Sequence, residues 1–148
     1  MSIGSIRLPA FLAATADAVI ATLASGCDGG GQGAGAVGTV VRVSERDFRI
    51  SAPKHVAAGA VIFRVSNKGP DDHEFIVVRT RDGNLPLRAD GVTANEERFS
   101  RATAGLLEAG APGSVRELRL KLAPGRYMLI CNMAGHYLGG MHAELVVS

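Results

Sequence analysis

Three residues whose side chains can bind a soft metal ion stand close together near the C-terminus, in the segment CNMAGHYLGGM, residues 131 to 141. Cys131, His136 and Met141 offer a thiolate, an imidazole and a thioether at even intervals along the chain. We expect Cys131 to end a β-strand and the other two to lie in the loop that follows. Such a loop can fold back on itself and bring the three side chains together.

His73 is a fourth candidate, because it precedes a predicted strand at residues 74–78 and strand ends that are distant in sequence can meet at one pole of a β-sandwich. Two imidazoles, one thiolate and a weak thioether form the ligand set of blue-copper electron-transfer sites. The sulfur ligands favour Cu(I) and imidazole accepts both oxidation states, so such a site changes charge with little rearrangement. The sequence therefore predicts one type 1 copper ion with the ligands His73, Cys131, His136 and Met141.

The elements that must position these side chains are short strands. Seven segments rich in β-branched, aromatic or alternating apolar residues are separated by turn residues, which is typical of β-structure. They are residues 39–43, 47–50, 60–65, 74–78, 115–122, 126–131 and 143–147. So many short strands in one chain predict an all-β sandwich.

One connection departs from this pattern. In residues 93–108, Thr93 and Glu96 have the spacing of a capping box, and apolar residues recur at helical intervals. We therefore expect one short helix here, lying over the sandwich.

The N-terminal residues have the order of an export signal. Residues 1–26 contain an early Arg7, an apolar stretch and then small residues, so we predict a signal peptide. Cys27 follows directly and resembles the lipidated cysteine of bacterial lipoproteins, which predicts a membrane anchor and a periplasmic or extracytoplasmic protein. Residues 27–37 are mostly glycine and predict a flexible tether, and residues 38–148 would form the folded domain.

Two other interpretations of the N-terminal segment remain. Residues 8–26 could form an uncleaved membrane span, but Asp17 in its middle would cost about 3 kcal/mol on insertion scales. Cys27 and Cys131 could instead form a disulfide, which would tie a flexible segment to a buried strand end.

Composition limits the remaining function classes. The chain has 148 residues, 47% of them hydrophobic, and a formal net charge of +2. This is enough for one domain with a core, and the charges form no runs, so neither nucleic acid nor an anionic membrane surface is an expected partner.

The C-terminal third, GRYMLICNMAGHYLGGMHAELVV, resembles the last two strands and ligand loop of the cupredoxins, with a Cys-x4-His-x4-Met spacing like that of rusticyanin and sulfocyanin. The segment NKGPDDHEFIVV is similar to the strand that carries their first histidine. The resemblance implies a Greek-key β-sandwich of about seven or eight strands that binds one copper ion. Many cupredoxins have asparagine after that histidine, where this chain has Glu74; Asn132 or loop amides could take its bracing role.

The function implied is that of a membrane-tethered carrier of single electrons. We do not expect an enzyme, because a laccase or copper nitrite reductase would need further His-x-His ligands and additional domains, and a binuclear copper centre would need a second cysteine in the loop. Its partner would be another redox protein, for example a cytochrome or a terminal oxidase. Electrons would pass at the edge of His136, with Tyr137, Leu138 and the following glycines as a docking patch. The alternatives are a protein that delivers Cu(I) to another enzyme, and a sandwich that has lost its metal and binds protein partners. His55 and His142 are expected to be structural or to face solvent.

Overall fold

The computed structural model describes residues 38–148. The predicted signal peptide at residues 1–26, the predicted tether at residues 27–37 and Cys27 lie outside the described residues. Within residues 38–148, no helix is long and apolar enough to cross a bilayer.

The described residues form two β-sheets. Nine strands are present in this part of the chain: β1 (Thr39–Arg46), β2 (Arg49–Ser51), β3 (His55–Val56), β4 (Gly59–Asn67), β5 (His73–Thr80), β6 (Thr103–Gly110), β7 (Val115–Leu122), β8 (Gly125–Ile130) and β9 (His142–Val147). The first sheet has the order β2-β1-β4-β7 and the second the order β3-β9-β8-β5-β6. The chain crosses repeatedly from one sheet to the other, which confirms the predicted β-sandwich.

Buried and more exposed residues alternate along the strands, and the buried ones form the core. In β4, Val61, Phe63 and Val65 are buried while residues between them are more exposed. Because successive side chains in a strand point to opposite faces, this pattern gives the sheet one inner face. Phe63 packs against Phe75 of the opposite sheet, with 5.4 Å between ring centroids, and both side chains are fully buried.

The predicted helix at residues 93–108 is only partly correct. A helix, α1, spans Glu96–Phe99 and continues as one 3-10 turn at Ser100–Ala102, but Thr103–Gly110 forms β6. The strand prevails because β6 pairs with the edge of β5 and satisfies its backbone groups in the sheet. The predicted capping box is also wrong, since Asn95 caps α1 by accepting a hydrogen bond from the backbone N–H of Arg98 at 3.3 Å.

The predicted strand at residues 47–50 begins two residues too early. Asp47 and Phe48 form the tight turn between β1 and β2, and Arg46 pairs with Arg49 across it. Phe48 has a φ of 60°, a left-handed conformation that is rare for an aromatic residue. This turn lies at the end of the sandwich that carries the candidate metal centre.

Candidate metal centre

Strand pairing places His73 beside Cys131. His73 is the first residue of β5, and Cys131 directly follows the last residue of β8. The two strands are antiparallel neighbours, with Ile76 opposite Ile130. The start of one strand therefore meets the end of the other, and the fold brings residues separated by 58 positions to one place.

The loop between β8 and β9 is closed by backbone hydrogen bonds. The N–H of Cys131 donates to the carbonyl of Met141 at 3.1 Å, and the N–H of Met141 donates to the carbonyl of His136 at 2.9 Å. A further bond runs from the N–H of His136 to the carbonyl of Met133 at 2.8 Å. The loop folds back as expected from its spacing, and these bonds fix the backbone at Cys131, His136 and Met141.

Three potential ligand atoms converge in this part of the molecule. The Cys131 sulfur and one ring nitrogen each of His73 and His136 all lie within 4.8 Å of one another. Sγ of Cys131 is 3.5 Å from Nδ1 of His136, and the two imidazole rings have their centroids 5.1 Å apart. Met141 is fully buried in the same core cluster as Cys131.

The donor set fits a metal ion. His73 is fully buried, yet neither of its ring nitrogens has a hydrogen-bond partner of ordinary geometry among the described residues. Buried polar atoms are nearly always satisfied, so an exception requires an explanation. Imidazole nitrogens with a thiol are ligands of the softer transition metals, which supplies one.

Burial determines the protonation of these groups in the protein without metal. It raises the pKa of the Cys131 thiol to about 11, although hydrogen bonds from the backbone of Met133 and of Glu74 oppose the rise. Burial also lowers the pKa of His73, and the neighbouring His136 acts in the same direction, whereas Asp47 opposes it. His73 is therefore held neutral, which is the form of imidazole that binds metal ions.

Glu74 stands where many cupredoxins have asparagine, and it braces the loop. Its Oε1 accepts a hydrogen bond from the backbone N–H of Asn132 at 2.7 Å. The Asn132 side chain in turn accepts from the N–H of Ala94 at 2.7 Å and donates to the Ala94 carbonyl at 3.0 Å and to Glu96 at 2.6 Å. Glu74 and Asn132 together connect β5, the ligand loop and the segment before α1.

The residues that precede His73 are fixed by another amide. The Nδ2 group of Asn67 donates to the carbonyl of Asp71 at 2.8 Å and to that of Gly110 at 2.9 Å, and its Oδ1 accepts from the N–H of Gly69 at 2.9 Å. Asn67 is fully buried. This single side chain therefore fixes the turn that leads into β5.

The sequence analysis missed two residues at the site, Asp47 and Phe48. Phe48 lies edge-on to the ring of His136, with centroids 5.5 Å apart and an angle of 68° between the planes. His136 is only 8% exposed, whereas Phe48 is 53% and Leu138 56% exposed. The turn that contains Phe48 and the loop that contains His136 and Leu138 therefore each expose an apolar side chain. The sequence assigned both residues to a strand, and nothing in it placed them against His73 and His136.

The two histidines not expected to bind metal lie outside the cluster. His55 and His142 are both exposed, and the ring of His142 packs against Tyr137 at a centroid distance of 5.4 Å. Cys131 is a free thiol with no disulfide partner within residues 38–148.

Residues 43–148 match the family model described as the sulfocyanin (SoxE) domain. The chain belongs to the sulfocyanin family. This confirms the cupredoxin resemblance, and it makes the protein a copper electron-transfer protein whose cofactor is one copper ion.

Solved structures with the same fold include other small proteins of the cupredoxin class. An auracyanin from Roseiflexus castenholzii is 19% identical with a TM-score of 0.51, covering 74% of this chain and 97% of that one. Auracyanin A from Chloroflexus aurantiacus, described as a blue copper protein, is 19% identical with a TM-score of 0.54. The match covers 74% of this chain and 98% of that one. Rusticyanin from Thiobacillus ferrooxidans is 15% identical with a TM-score of 0.57. The match covers 75% of this chain and 79% of that one. The comparison with curated protein sequences gave no match.

Proposed function

We propose that this sulfocyanin-family protein is an exported, membrane-tethered carrier of single electrons whose copper ion is bound by His73, Cys131, His136 and Met141. The observation that supports the ligand assignment is the convergence of two imidazole nitrogens and one thiol sulfur within 4.8 Å in a buried pocket. Copper bound there supplies a one-electron change between Cu(I) and Cu(II).

The protein groups around the pocket have separate tasks. Cys131 would supply a thiolate to the ion, its proton passing to solvent, and the backbone amides of Met133 and Glu74 would stabilise the charge on its sulfur. Met141 would supply a weak thioether donor. Burial of these side chains would keep water from the ion.

His136 is the expected route for electrons, because it is the ligand nearest the apolar surface. That surface consists of the exposed side chains of Phe48 and Leu138. An apolar surface of this kind suits brief contact with a second redox protein, for example a cytochrome or a terminal oxidase.

The test of the ligand assignment is an absorption spectrum with metal analysis on the purified full-length protein. We expect one copper per chain, an intense blue colour in the oxidised form and bleaching on reduction. A Cys131→Ser variant should lose the colour while keeping the folded β-sheet signal in circular dichroism. A colourless Cu(II) form of the wild-type protein, or a Cys131→Ser variant that keeps its colour, would refute the assignment.

The tether is tested separately. Export with lipidation predicts that the mature protein begins at Cys27, carries lipid mass and partitions into membranes. A Cys27→Ala variant should lose the added mass and leave the membrane fraction. Wild-type protein that retains residues 1–26 or carries no lipid would contradict this part of the proposal and leave the copper site unaffected.

A further inference from the structure

The turn between β1 and β2 brings a carboxylate to the buried imidazole of His73. Oδ1 of Asp47 lies 3.1 Å from Nε2 of His73. Both atoms are shielded from solvent, although the Asp47 side chain as a whole is 26% exposed. The distance is short enough for a hydrogen bond. In this structure, however, neither atom has a hydrogen-bond partner of ordinary geometry.

Two features of the backbone accompany this contact. Phe48 holds its left-handed φ of 60°, and such conformations persist only where the surrounding structure enforces them. Gly69 lies against the pair, and a methyl group at its Cα would be 2.5 Å from Oδ1 of Asp47 and 2.8 Å from Nε2 of His73. The chain therefore has a glycine where any side chain would separate the carboxylate from the ring.

We propose that Asp47 is a positioning residue of the copper centre, which holds His73 with its proton on Nε2 and thereby leaves Nδ1 as the nitrogen available to the metal. This inference rests on the proposed copper site. Histidines that bind metals commonly donate their second N–H to a carboxylate, which fixes the tautomer and the ring orientation and raises ligand basicity. His136 has Phe48 beside its ring instead, so the two histidine ligands differ in their surroundings.

The charge of Asp47 adds a second effect. A carboxylate one imidazole away from the ion stabilises Cu(II) more than Cu(I), because the oxidised ion carries the larger charge. The carboxylate atom that faces the ring is screened from solvent, so water weakens this preference only in part. Asp47 should therefore lower the reduction potential of the copper.

The matched variants are Asp47→Asn and Asp71→Asn. The first keeps the size of the side chain and an oxygen that accepts from Nε2, but removes the charge. The second removes the exposed carboxylate of Asp71. Its charge also acts on His73, but its side chain makes no hydrogen bond to the ring. We expect Asp47→Asn to remain blue and to lose about tenfold in the ratio of Cu(II) to Cu(I) affinity, which raises the potential by about 59 mV. Asp71→Asn should raise it by less than half as much.

The tautomer is measured on the wild-type protein and so does not depend on a variant that folds. Nitrogen NMR of the diamagnetic Cu(I) form should show His73 with its proton on Nε2, and Asp47→Ala should weaken or lose the slowly exchanging signal of that proton. A His73 protonated at Nδ1, or equal potentials in Asp47→Asn and Asp71→Asn, would overturn the inference while the blue wild-type protein still supports the copper site. A wild-type protein without a blue form would overturn both.

Discussion

Oε1 of Glu74 accepts a hydrogen bond from the backbone N–H of Asn132 at 2.7 Å, and this bond joins the two segments that carry His73 and Cys131. Each partner stands directly after one of those residues in the chain. The Asn132 side chain extends the connection to Ala94, which is itself fully buried. The spacing between the two ligand segments is therefore set by side-chain bonds as well as by the sheet.

Two replacements of Glu74 should separate the role of this hydrogen bond from the role of the Glu74 charge. Glu74→Ala leaves the N–H of Asn132 without its acceptor and should lower the free energy of unfolding by about 1.5–3 kcal/mol, the range for hydrogen bonds to charged groups. Glu74→Gln keeps an acceptor oxygen and should cost less than about 1 kcal/mol. Urea denaturation of the two variants measures the difference, and equal losses in both would show that the bond does not stabilise the loop.

Gly69 is predicted to be intolerant of a side chain. Gly69→Ala should cost about 1–3 kcal/mol through overpacking against Asp47 and His73, and it should also shift the absorption of the copper form. Gly91→Ala is the control, because Gly91 has a φ of 70° with open space around it and should lose only about 1–2 kcal/mol of backbone energy. Absorption spectra and thermal unfolding distinguish them: a copper spectrum unchanged in Gly69→Ala would contradict the crowding argument.

Two methionines of the ligand loop provide a second matched pair. Met141→Leu removes the thioether that we propose as a copper ligand, so Cu(II) would lose a donor and the reduction potential should rise. Met133 is partly buried against the same core, and Met133→Leu should leave the potential within error of the wild type. Voltammetry of both variants checks the assignment, which fails if the two potentials move together.

The sandwich also contains a buried acid that should make stability depend on pH. Glu45 of β1 is 0% exposed and pairs with Arg116 at 2.8 Å. Burial nevertheless raises the pKa of Glu45 from 4.5 to about 7, with Arg116 opposing the rise and the charge of Glu74 adding to it. The folded protein therefore keeps a proton on Glu45 in a pH range where the unfolded chain has lost it.

The sign follows from this difference in proton binding. The contribution of Glu45 to stability is fully present below pH 4.5 and is lost as the pH rises to about 7, a change on the order of 3 kcal/mol. Glu45→Gln cannot ionise and should lack this change. Chemical denaturation of the wild type and the variant between pH 4.5 and 7.5 isolates the contribution as a difference.

Glu117 provides the control for this experiment, since it also pairs with an arginine, Arg64 at 2.7 Å, but near the surface. The hydrogen bond from Arg64 lowers the pKa of Glu117, so its contribution should be lost as the pH falls rather than rises. If Glu45→Gln and Glu117→Gln showed the same pH dependence, the burial of Glu45 would not be its cause.

The parts of the site that the sequence predicted are those with a local signal. Cys131, His136 and Met141 stand in one loop, and their spacing is visible along the chain. His73 was harder to assign, because 58 residues separate it from Cys131 and strand pairing brings them together; its place before a predicted strand suggested it, and the resemblance to a known family supported it. Alternation and turn residues likewise predicted most strands of both sheets.

What could not be predicted depends on contacts between distant segments. Residues 103–110 carry no strong strand signal and become β6 because the edge of β5 offers backbone partners. Asp47 and Phe48 read as an ordinary continuation of a strand, and their closeness to His73 and His136 follows only from the packing of the turn. The raised pKa of Glu45 likewise results from burial in the folded chain.

The three hydrogen bonds of the Asn67 amide have a consequence for the speed of electron exchange. They connect protein groups only, so the turn that leads into His73 takes its shape from the polypeptide. A copper ion held beside it would therefore meet the same surroundings in its monovalent and its divalent state. We expect little nuclear motion to accompany each electron and the barrier to transfer to stay low.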